Sequence, residues 1–367
     1  MKKTPELFGR KEVFKTMTRI PVSGQNPYDI EIAAGALSSC GERIGRVKAP
    51  CRALVISDSH VAPLYGEAVL SSLKAAGFFP RLHTFPAGEA NKTLATVEGM
   101  LAACAAAGLC RSDLIVALGG GVTGDMAGFA AAIYLRGIDF VQLPTTLLSM
   151  IDSSVGGKTG CDLPFGKNLA GAFHNPRLVL IDPSLLSTLP DRYMRDGMGE
   201  AVKYGCVFSE ALISRLERED YRAFLPELIR QCVEMKRDVV EADFTEQGCR
   251  TLLNFGHTIG HAIEKEENFS GLSHGEAVAA GMAILTRAAE RLSLCEEGTA
   301  LRLEGLLNSF GLPTGTSILP ERLAAAALHD KKMRGDTIRL VLLRKMGEGY
   351  VETVEAARLA EIFALGM

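Results

Sequence analysis

The sequence predicts an α/β N-terminal domain with a mostly parallel sheet, followed by a mainly α-helical C-terminal domain. Short apolar runs alternate with helical segments as far as about residue 190, and helical periodicity dominates beyond it. Strands that alternate with helices form βαβ units, whose parallel sheet is covered on both faces. Because 367 residues are enough for two domains, we expect an extension over 1–20, an α/β domain over 21–190 and a helical domain over 191–367.

Each predicted strand of the α/β half is a short run of apolar residues or of alternating apolar and polar residues. Glycines follow the predicted helices of this half, as is usual at helix ends. The strands are expected at Tyr28–Ile32, Arg52–Ser57, Arg81–Phe85, Leu114–Leu118, Ile138–Leu143 and Leu178–Ile181. The helices are expected at Val61–Ala76, Thr93–Ala107 and Met126–Leu135, with a polar loop at Gly88–Lys92.

In the C-terminal half, apolar residues recur at helical spacing in a series of segments. Helices are expected at Gly197–Phe208, Glu210–Glu219, Pro226–Glu241, Thr251–Glu266, Gly275–Leu292, Thr299–Phe310 and Glu321–Lys332. Alternating runs at Thr337–Leu343 and Tyr350–Val354 predict a late hairpin before a closing helix. Ligand sites in such chains favour the carboxyl ends of the strands and the cleft between domains.

The composition is that of an ordinary globular protein, with 47% hydrophobic and 23% charged residues. A formal net charge of −3 gives no reason to expect a nucleic acid or an anionic membrane as partner. No apolar run is long enough to span a membrane, and the region after Lys2 and Lys3 lacks the apolar core of a secretory signal. Nine scattered cysteines without a C-x-x-C pair indicate reduced thiols, so we expect a cytoplasmic protein.

The stretch Gly119–Asp125 joins a predicted strand to a predicted helix, a layout that binds phosphate groups. Glycines let backbone N–H groups approach an anion, and the helix N-terminus adds partial positive charge. Gly119, Gly121 and Gly124 match the G-x-G-x-x-G pattern of Rossmann-like dinucleotide sites. The alternative is a tight turn that only packs the helix closely against the strand.

Polar side chains accompany other strands of the same predicted sheet. Asp58 ends a strand, where it could accept hydrogen bonds from ribose hydroxyls or cap the next helix together with Ser59. Glu89 and Lys92 lie in the next loop, where a lone charged pair would usually be solvated surface. Two threonine hydroxyls, in Pro144-Thr145-Thr146, follow a later strand.

The segment from Asp152 to Asn168 is rich in glycine and lysine. Its Gly-Gly-Lys-Thr run suggests a P-loop, but G-x-x-x-x-G-K-[ST] would require glycine at Asp152, so hydrolysis of a nucleoside triphosphate is not supported. Lys158 and Lys167, with Arg136 upstream, still predict a site for an anion. A surface loop with incidental lysines is the alternative.

Three of the seven histidines fall in two neighbouring predicted helices. His257 and His261 are spaced i, i+4 on one helix face, and His274 opens the following helix. With Glu200 they supply the donors of a catalytic zinc site, which takes three protein ligands and keeps one position open. Spacing alone makes His257 and His261 the ligand pair, although single histidines are more often core or surface residues.

A polar stripe is predicted on the helix Thr251–Glu266 and the residue before it. Its members, at helical spacing, are Arg250, Asn254, His257 and His261. The other faces of this segment are mostly apolar, which favours a lined cleft over a solvated helix face. Further cations of this half are Lys203, Lys236 and the late run Asp330-Lys331-Lys332.

Long motifs that follow one another from about Ser57 to Leu343 resemble the 3-dehydroquinate synthase family of the shikimate pathway. They are GGGVTGDMAGF, RGIDFVQLPTTLLSMIDSSVGGKTG, PFGKNLAGAF, GMGEAVKYG, LLNFGHTIGHAIE, HGEAVA and DKK. The resemblance implies a homodimeric carbon–oxygen lyase that depends on NAD and on zinc or cobalt. It also implies the reaction, from 3-deoxy-D-arabino-heptulosonate 7-phosphate to 3-dehydroquinate and phosphate.

The resemblance also implies roles for individual residues. NAD contacts are implied for Asp58, Glu89, Lys92, the turn Gly120, Gly121, Val122 to Asp125, Thr145, Thr146, Lys158, Lys167 and Leu185 to Thr188. Substrate contacts are implied for Arg136, Asp152, Lys158, Lys167, Asn168, Lys203, Lys236, Arg250, Asn254, His261 and one of Lys331 and Lys332. The implied zinc ligands are Glu200, His257 and His274, so His261 would face the substrate and not the metal. The implied catalytic residues are Glu246, His261, Lys203 and Arg250.

The implied chemistry accounts for these residue types. NAD oxidises a substrate hydroxyl, phosphate leaves by elimination, NADH returns the hydride, and an intramolecular aldol closes the carbocycle after ring opening. Zinc polarises the reacting oxygen. Arg250 and Lys236 suit the substrate carboxylate, and Glu246 and His261 are candidates for proton relay. The residues suited to the phosphate are Lys158, Asn168, Arg136, Asn254 and His261.

Other functions remain open at this point. A metal-dependent polyol dehydrogenase shares the two-domain plan, but it would consume NAD stoichiometrically and need no cage for carboxylate and phosphate. A related sugar phosphate cyclase would act on a substrate without the carboxylate, and a binding paralogue would have no activity. The chain departs from the family at Ala87, at Cys161-Asp162 and in a longer N-terminal extension, and none of these removes a named chemical group.

Overall fold

The computed structural model describes residues 17–164, 166–267, 271–328, 333–334 and 336–367. The chain divides into two compact units, of which the first ends at Thr188 and the second begins at Leu189. Within the described ranges, no helix is both long and apolar enough to cross a membrane. The nine cysteines are all free thiols.

The first unit is built on a seven-stranded sheet. The strands of this unit are β1 (Thr18–Val22), β2 (Tyr28–Ile32), β3 (Arg52–Asp58), β4 (Phe79–Phe85), β5 (Leu114–Gly119), β6 (Asp139–Pro144), β7 (Lys158–Leu163), β8 (Gly166–Phe173) and β9 (Leu178–Ile181). The sheet order is β1-β2-β9-β6-β5-β3-β4. Strand β1 is antiparallel to β2, and the other neighbouring pairs are parallel, which confirms the predicted α/β class.

Helices cover this sheet and complete the core of the first unit. They are α1 (Cys40–Gly45), α2 (Ala62–Ala75), α3 (Leu94–Ala106) and α4 (Gly121–Ile133). All residues of β5 are buried, as expected for a central parallel strand. Ile56, Ile115 and Phe140 from three strands pack in one cluster with Met100 of α3 and Met126 of α4.

Strand β1 begins inside the stretch 1–20 that the sequence assigns to an extension. It pairs with β2 from Thr18 opposite Ile32 to Val22 opposite Tyr28. Ile20 and Val22 are buried, because alternate residues of a strand face the core. Residues 1–16 lie outside the described residues.

Helix α4 begins at Gly121, earlier than the predicted start at Met126. Glycine lowers helix propensity, so the segment between these residues resembles a loop in sequence. The helix ends at Ile133, and Leu135 and Arg136 then adopt positive φ values of 50° and 67°. The chain therefore turns sharply before β6.

The segment rich in glycine and lysine, for which the sequence predicts no strand or helix, contains regular structure. A π-helical turn covers Ser149–Ser153, and β7 and β8 form an antiparallel hairpin. Within this hairpin, a Cβ atom at Gly160 would lie 2.6 Å from the carbonyl oxygen of Ala170. The sequence conceals these strands because glycine is depleted in strands. Phe165, between them, lies outside the described residues.

The second unit is mainly helical, as predicted. Its helices are α5 (Asp191–Phe208), α6 (Glu210–Arg218), α7 (Leu225–Ala242), α8 (His257–Glu266), α9 (His274–Arg291), α10 (Thr299–Ser309), α11 (Pro320–Leu328) and α12 (Leu359–Gly366). Its strands are β10 (Met333–Arg334), β11 (Thr337–Lys345) and β12 (Glu348–Glu355), which form an antiparallel sheet in that order. Ile259, Ile284, Leu323, Leu340 and Phe363 share one core cluster.

The predicted helix Thr251–Glu266 is wrong in its first part. A 3-10 turn covers Cys249–Asn254. The backbone then changes direction at Gly256, whose φ is 77°, before α8 begins. This left-handed conformation is easily adopted only by glycine. The single polar stripe is therefore split, because Arg250 and Asn254 lie in the turn and the two histidines lie on α8.

The structure describes the predicted helix Glu321–Lys332 only as far as Leu328, in α11. The run Asp330-Lys331-Lys332 lies outside the described residues. The predicted substrate contact of Lys331 or Lys332 therefore stays a prediction.

Candidate active site

Close packing of α5 against α9 brings a carboxylate of one helix to an imidazole of the other. A Cβ atom at Gly199 would lie 2.6 Å from the carbonyl oxygen of Gly275, and one at Gly275 would overlap the backbone of Asp196. The carboxylate of Asp196 also accepts a hydrogen bond from the backbone N–H of Gly275. These contacts hold Glu200 of α5 beside His274, the first residue of α9.

Glycines also allow α8 to lie directly on α9. A Cβ atom at Gly256 would lie 2.5 Å from the carbonyl oxygen of Val278, and one at Gly260 would lie 3.1 Å from its Cα atom. Any side chain at these positions would separate the two helices. The close approach brings the rings of His257 and His274 to 5.2 Å between centroids.

Glu200, His257 and His274 form a group whose ligand atoms lie within 4.8 Å of one another. The Nε2 atoms of the two histidines lie 3.6 and 3.7 Å from Oε1 of Glu200. Ligands of a tetrahedral zinc ion, at about 2.0–2.2 Å from the metal, would be separated by about 3.4 Å. The spacing and the donor types therefore fit a zinc-like ion with three protein ligands.

The ring of His257 is oriented for such a role. Its Nδ1 atom lies 3.1 Å from the carbonyl oxygen of Phe255, which accepts the hydrogen bond when the proton is on Nδ1. That tautomer leaves the lone pair of Nε2 directed toward Glu200. An outer hydrogen bond of this kind is typical of metal-binding histidines.

Lys203 and Glu200 form a buried ion pair on α5, at i and i+3. Their side chains are 2% and 0% exposed. Lys203 contacts Oε2 of Glu200, while the two imidazoles approach Oε1. The two carboxylate oxygens are thus divided between a cation and the histidine pair.

A second group of possible ligands adjoins the first. His261, Glu264 and His274 also have ligand atoms within 4.8 Å of one another. Nδ1 of His274 lies 3.5 Å from Oε2 of Glu264. Burial lowers the pKa of His274, but the hydrogen bond and charge of Glu264, with the charges of Glu200 and Asp196, outweigh it and raise that pKa to about 9.

Sequence reasoning missed Glu264, which is 3% exposed. It lies seven residues after His257 and three after His261, so it shares their helix face. That spacing was the available signal.

Three cations are buried in the same unit, where charged side chains are rarely found. Lys203, Lys236 and Arg250 are 1%, 6% and 1% exposed. They lie on α5, on α7 and in the turn Cys249–Asn254, three elements that contact one another. Such a concentration of positive charge suits an anionic ligand.

Contacts around the same turn hold two more predicted residues together. The guanidinium of Arg250 donates to the carbonyl oxygen of Phe244 at 2.6 Å, and its backbone N–H donates to Asp243 at 3.0 Å. The amide of Asn254 donates to Oε1 of Glu246 at 2.8 Å. Glu246, the predicted proton-relay residue, has a positive φ of 60°.

In the first unit, the glycine turn lies at the carboxyl end of β5 and opens α4. A Cβ atom at Gly120 would lie 3.1 Å from Thr146, and one at Gly121 would lie 3.1 Å from Ser153. The backbone N–H of Thr145 donates to the carbonyl oxygen of Gly119 at 3.0 Å. The hydroxyl of Thr145 is buried and has no hydrogen-bond partner among the described residues.

The environment of the Thr145 hydroxyl tests the interpretation that the glycine turn binds a dinucleotide. A buried polar atom without a partner costs free energy unless a ligand or water satisfies it. It adjoins a helix N-terminus, whose first N–H groups lack partners within the helix. The arrangement therefore fits a bound dinucleotide, and the contacts of Thr145 and Val122 with it stay predictions.

Lys92 is the centre of a polar network beside this turn. Its ammonium donates to Asp125 at 2.6 Å and to the side-chain oxygen of Asn168 at 2.7 Å. Burial lowers its pKa, but the charges of Asp125 and Glu89 outweigh that effect and raise the pKa, so Lys92 is charged. Glu89 also pairs with Lys167 at 3.3 Å. The structure thus brings together five residues that the sequence assigned to NAD or substrate.

Asp58 accepts hydrogen bonds in the turn before α2, but it is not the N-cap of that helix, which is Val61. Its Oδ1 accepts hydrogen bonds from the backbone N–H groups of His60 and Val61, at 2.8 and 3.0 Å. Its Oδ2 accepts a hydrogen bond from the hydroxyl of Thr123 at 3.3 Å. Ser59 instead bonds Ala87, so the two residues do not cap the helix together.

The remaining predicted residues of the first unit are Arg136, Thr146, Asp152, Lys158, Leu185 and Thr188. Leu185 and Thr188 both contact the hydroxyl of Tyr65. Arg136 and Lys158 are exposed, and Asp152 lies in the π-helical turn. Thr146 bonds Ser149 at 2.9 Å between hydroxyls.

Comparison with known proteins finds relatives named 3-dehydroquinate synthase. A family model described as 3-dehydroquinate synthase N-terminal matches residues 82–196, and one described as 3-dehydroquinate synthase C-terminal matches residues 197–333. The 3-dehydroquinate synthase of Pelobacter propionicus is 46% identical over 349 residues, 93% of this chain and 97% of the relative. That of Clostridium acetobutylicum is 43% identical over 338 residues, 91% of this chain and 95% of the relative.

Solved structures of sugar phosphate cyclases are also similar. A 2-deoxy-scyllo-inosose synthase, complexed with carbaglucose-6-phosphate, NAD⁺ and Co²⁺, is 28% identical with a TM-score of 0.84, covering 96% of this chain and 100% of that chain. The 2-epi-5-epi-valiolone synthase of Streptomyces hygroscopicus, with NAD⁺ and Zn²⁺ bound, is 29% identical with a TM-score of 0.84, covering 95% and 98%. A probable glycerol dehydrogenase of Sinorhizobium meliloti, at 20% identity and a TM-score of 0.60, shares the fold alone.

Family models for both halves and relatives above 40% identity agree in these matches. The motifs that the sequence analysis quoted fall within the matched ranges. The chain therefore belongs to the 3-dehydroquinate synthase family.

Proposed function

We infer that this chain converts 3-deoxy-D-arabino-heptulosonate 7-phosphate into 3-dehydroquinate and phosphate, as a carbon–oxygen lyase of the shikimate pathway. The observation that carries the inference is the group Glu200, His257 and His274, which adjoins elements bearing the buried cations Lys203, Lys236 and Arg250. A metal-dependent polyol dehydrogenase needs the metal ligands but not the buried cations. An enzyme whose substrate carries both a carboxylate and a phosphate needs the metal ligands and the buried cations.

Glu200, His257 and His274 would hold the divalent cation, zinc or cobalt. A metal bound there would polarise the reacting substrate oxygen and lower the pKa of its proton. Lys203 would keep one carboxylate oxygen of Glu200 occupied, so that the other faces the cation. His261, on the same helix face as His257, would contact substrate.

The first unit would hold NAD at the turn from Gly120 to Asp125. When bound, NAD would accept a hydride from the carbon that bears a substrate hydroxyl and return it after elimination. Helix α4 would present its N-terminus to the pyrophosphate, and Thr145 would donate its hydroxyl to the cofactor. Lys92 would keep Asp125 and Asn168 in place. Further contacts are proposed for Asp58, Glu89, Thr146, Lys158, Lys167, Leu185 and Thr188.

Arg250 would bind the substrate carboxylate, because its planar guanidinium can donate two parallel hydrogen bonds. Lys236 would add a second positive charge. Burial of both groups excludes water and strengthens their attraction to an anion. Asn254, which is tied to Glu246, would position that carboxylate for proton relay with His261.

The phosphate would be bound by donors on short polar segments of the chain. Because departing phosphate can itself accept the proton, no strong protein base is required. The proposed phosphate contacts are Arg136, Lys158, Asn168, Asn254 and His261. Further substrate contacts are proposed for Asp152, Lys167 and one of Lys331 and Lys332. A homodimer and a cytoplasmic location also remain predictions.

The test is a comparison of two sugar phosphates. The protein, supplied with NAD and Zn²⁺, is incubated with the heptulosonate phosphate or with glucose 6-phosphate, which lacks the carboxylate. We expect phosphate release and a product of the mass of 3-dehydroquinate from the first compound alone. Release from glucose 6-phosphate alone would instead indicate a cyclase for substrates without a carboxylate.

A further inference from the structure

Glu264 is a buried carboxylate that none of the steps above employs. It is 3% exposed and lies on the face of α8 that carries His257 and His261. A carboxylate is seldom buried to this degree unless charged or polar groups stabilise it. Its function therefore depends on what it contacts.

The contact of interest is with His274, the first residue of α9. Oε2 of Glu264 lies 3.5 Å from Nδ1 of His274, while Nε2 of the same ring lies 3.7 Å from Oε1 of Glu200. One ring nitrogen thus approaches Glu264, and the other approaches the proposed ligand group. A proton held on Nδ1 by Glu264 leaves the lone pair of Nε2 available to a cation.

His257 shows the same arrangement with a different acceptor. Its Nδ1 atom approaches the carbonyl oxygen of Phe255 at 3.1 Å, and its Nε2 atom approaches Glu200 at 3.6 Å. Both imidazoles therefore have an acceptor behind the nitrogen that does not face Glu200. A carboxylate behind a ligating imidazole also increases its basicity, which a backbone carbonyl does less strongly.

We propose that Glu264 is a positioning residue that fixes the tautomer and ring orientation of His274 for metal binding. The proposal rests on the proposed metal ligands Glu200, His257 and His274. The competing arrangement is the group His261, Glu264 and His274, in which Glu264 would itself be a ligand. These two arrangements predict opposite effects of substitutions at Glu200 and His261.

The experiment measures the dissociation constant for Zn²⁺ by competition with a chelating dye. A second readout is the visible absorption spectrum of the Co²⁺-loaded protein. The variants are Glu264→Leu, which removes the acceptor, and Glu264→Gln, which keeps an acceptor oxygen without the charge. Glu266→Gln is the matched control, because Glu266 is on the same helix but pairs with Arg322 at 2.5 Å. Glu200→Gln and His261→Ala test the ligand set.

We expect Glu264→Leu to weaken Zn²⁺ binding about 10- to 100-fold, the usual loss for a partner of a metal-binding histidine. Glu264→Gln should lose less Zn²⁺ affinity, and Glu266→Gln should bind Zn²⁺ as tightly as the unmodified protein does. Glu200→Gln should lose more Zn²⁺ affinity than any of these variants, and His261→Ala should retain Zn²⁺ binding. The Co²⁺ spectrum should change in Glu264→Leu and not in Glu266→Gln.

Unchanged affinity in both Glu264 variants, with binding lost in Glu200→Gln, would overturn this inference and leave the proposed metal ligands in place. If Glu200→Gln binds normally while Glu264→Leu and His261→Ala lose the ion, the proposed ligands themselves are wrong. Should Glu264→Leu fail to fold, as judged by circular dichroism, the comparison of Glu264→Gln with Glu266→Gln decides the question.

Discussion

Single residues in the second unit show how buried charge is managed. Lys203 contacts one oxygen of Glu200, and Glu264 lies behind His274, so two of the three proposed ligands have a charged neighbour, while His257 has the carbonyl oxygen of Phe255. Replacing one partner of such a buried pair is costly, because it leaves the other charge without compensation. These positions should therefore tolerate substitution poorly even where they do not contact substrate.

The residue types of the candidate site were predictable, but their relations in space were not. Spacing indicated His257 and His261 as a ligand pair, and the structure brings Glu200 and His274 to His257 while it places His261 in a second group with Glu264 and His274. Which side chains meet depends on contacts between helices that are far apart in the sequence. The i, i+4 spacing shows only which residues share a face of one helix. Glu264 was missed because the sequence does not show what lies opposite that helix face.

Arg250 offers the sharpest prediction at this scale. Arg250→Ala should raise the KM for the heptulosonate phosphate about 100-fold, because a lost charged contact costs about 3 kcal/mol. Arg250→Lys should recover only part of the loss, since lysine lacks the planar pair of donors. Steady-state kinetics and NAD binding by fluorescence titration are the measurements. An equal loss of NAD affinity would contradict the assignment of Arg250 to substrate.

At the scale of elements, helix contacts through glycine position the candidate site. The apolar strands and most helices were predictable, because period and composition report burial directly. The β7–β8 hairpin was not predictable. Its glycines permit close contact between the strands, and they interrupt the alternation of apolar and polar side chains that identifies a strand in a sequence. The start of α8 was misplaced because the positive φ of Gly256 cannot be inferred from helical spacing.

Gly199→Ala tests the close contact between α5 and α9. The added methyl group would lie 2.6 Å from the carbonyl oxygen of Gly275, so we expect a loss of about 1–3 kcal/mol in the free energy of unfolding. Zn²⁺ affinity should fall as well, because Glu200 and His274 move apart.

Gly305→Ala on α10 is the control, since nothing lies within 4 Å of its added atom. It should stabilise the protein by about 0.5–1 kcal/mol. Urea unfolding of both variants is the measurement, and equal effects would contradict the packing argument.

Asp113 joins β3 to β5 and makes stability depend on pH. Burial raises its pKa, but hydrogen bonds from the backbone N–H groups of Cys110 and Arg52, at 2.7 and 3.0 Å, outweigh burial and lower it. Its contribution is therefore present above the ordinary pKa of 3.8 and lost as pH falls through the lowered value.

Asp113→Asn should reduce the free energy of unfolding by about 1–3 kcal/mol at pH 7. The difference from the unmodified protein should shrink in acid, where the native carboxylate is protonated. Chemical denaturation from pH 7 down to pH 3 measures it, and a difference that does not change with pH would show that the charge is not responsible.

At the scale of the whole molecule, the account divides the chemistry between two units of the chain. The first contains the glycine turn and the hydroxyl of Thr145, which no described residue bonds. The second contains the proposed metal ligands and the buried cations. The general plan was predictable from the change in periodicity near residue 190. The identity of the reaction came from long motifs, because composition and period alone describe polyol dehydrogenases equally well.

The central claim is that NAD is reduced and reoxidised within each catalytic cycle, so that the chain is a lyase and not a dehydrogenase. The most direct measurement counts phosphate released from the heptulosonate phosphate, with Zn²⁺ present and NAD held far below the substrate concentration. The account predicts many phosphates per NAD and no lasting absorbance of NADH. Phosphate release that stops at one per NAD, or NADH that accumulates in step with substrate consumed, would contradict it.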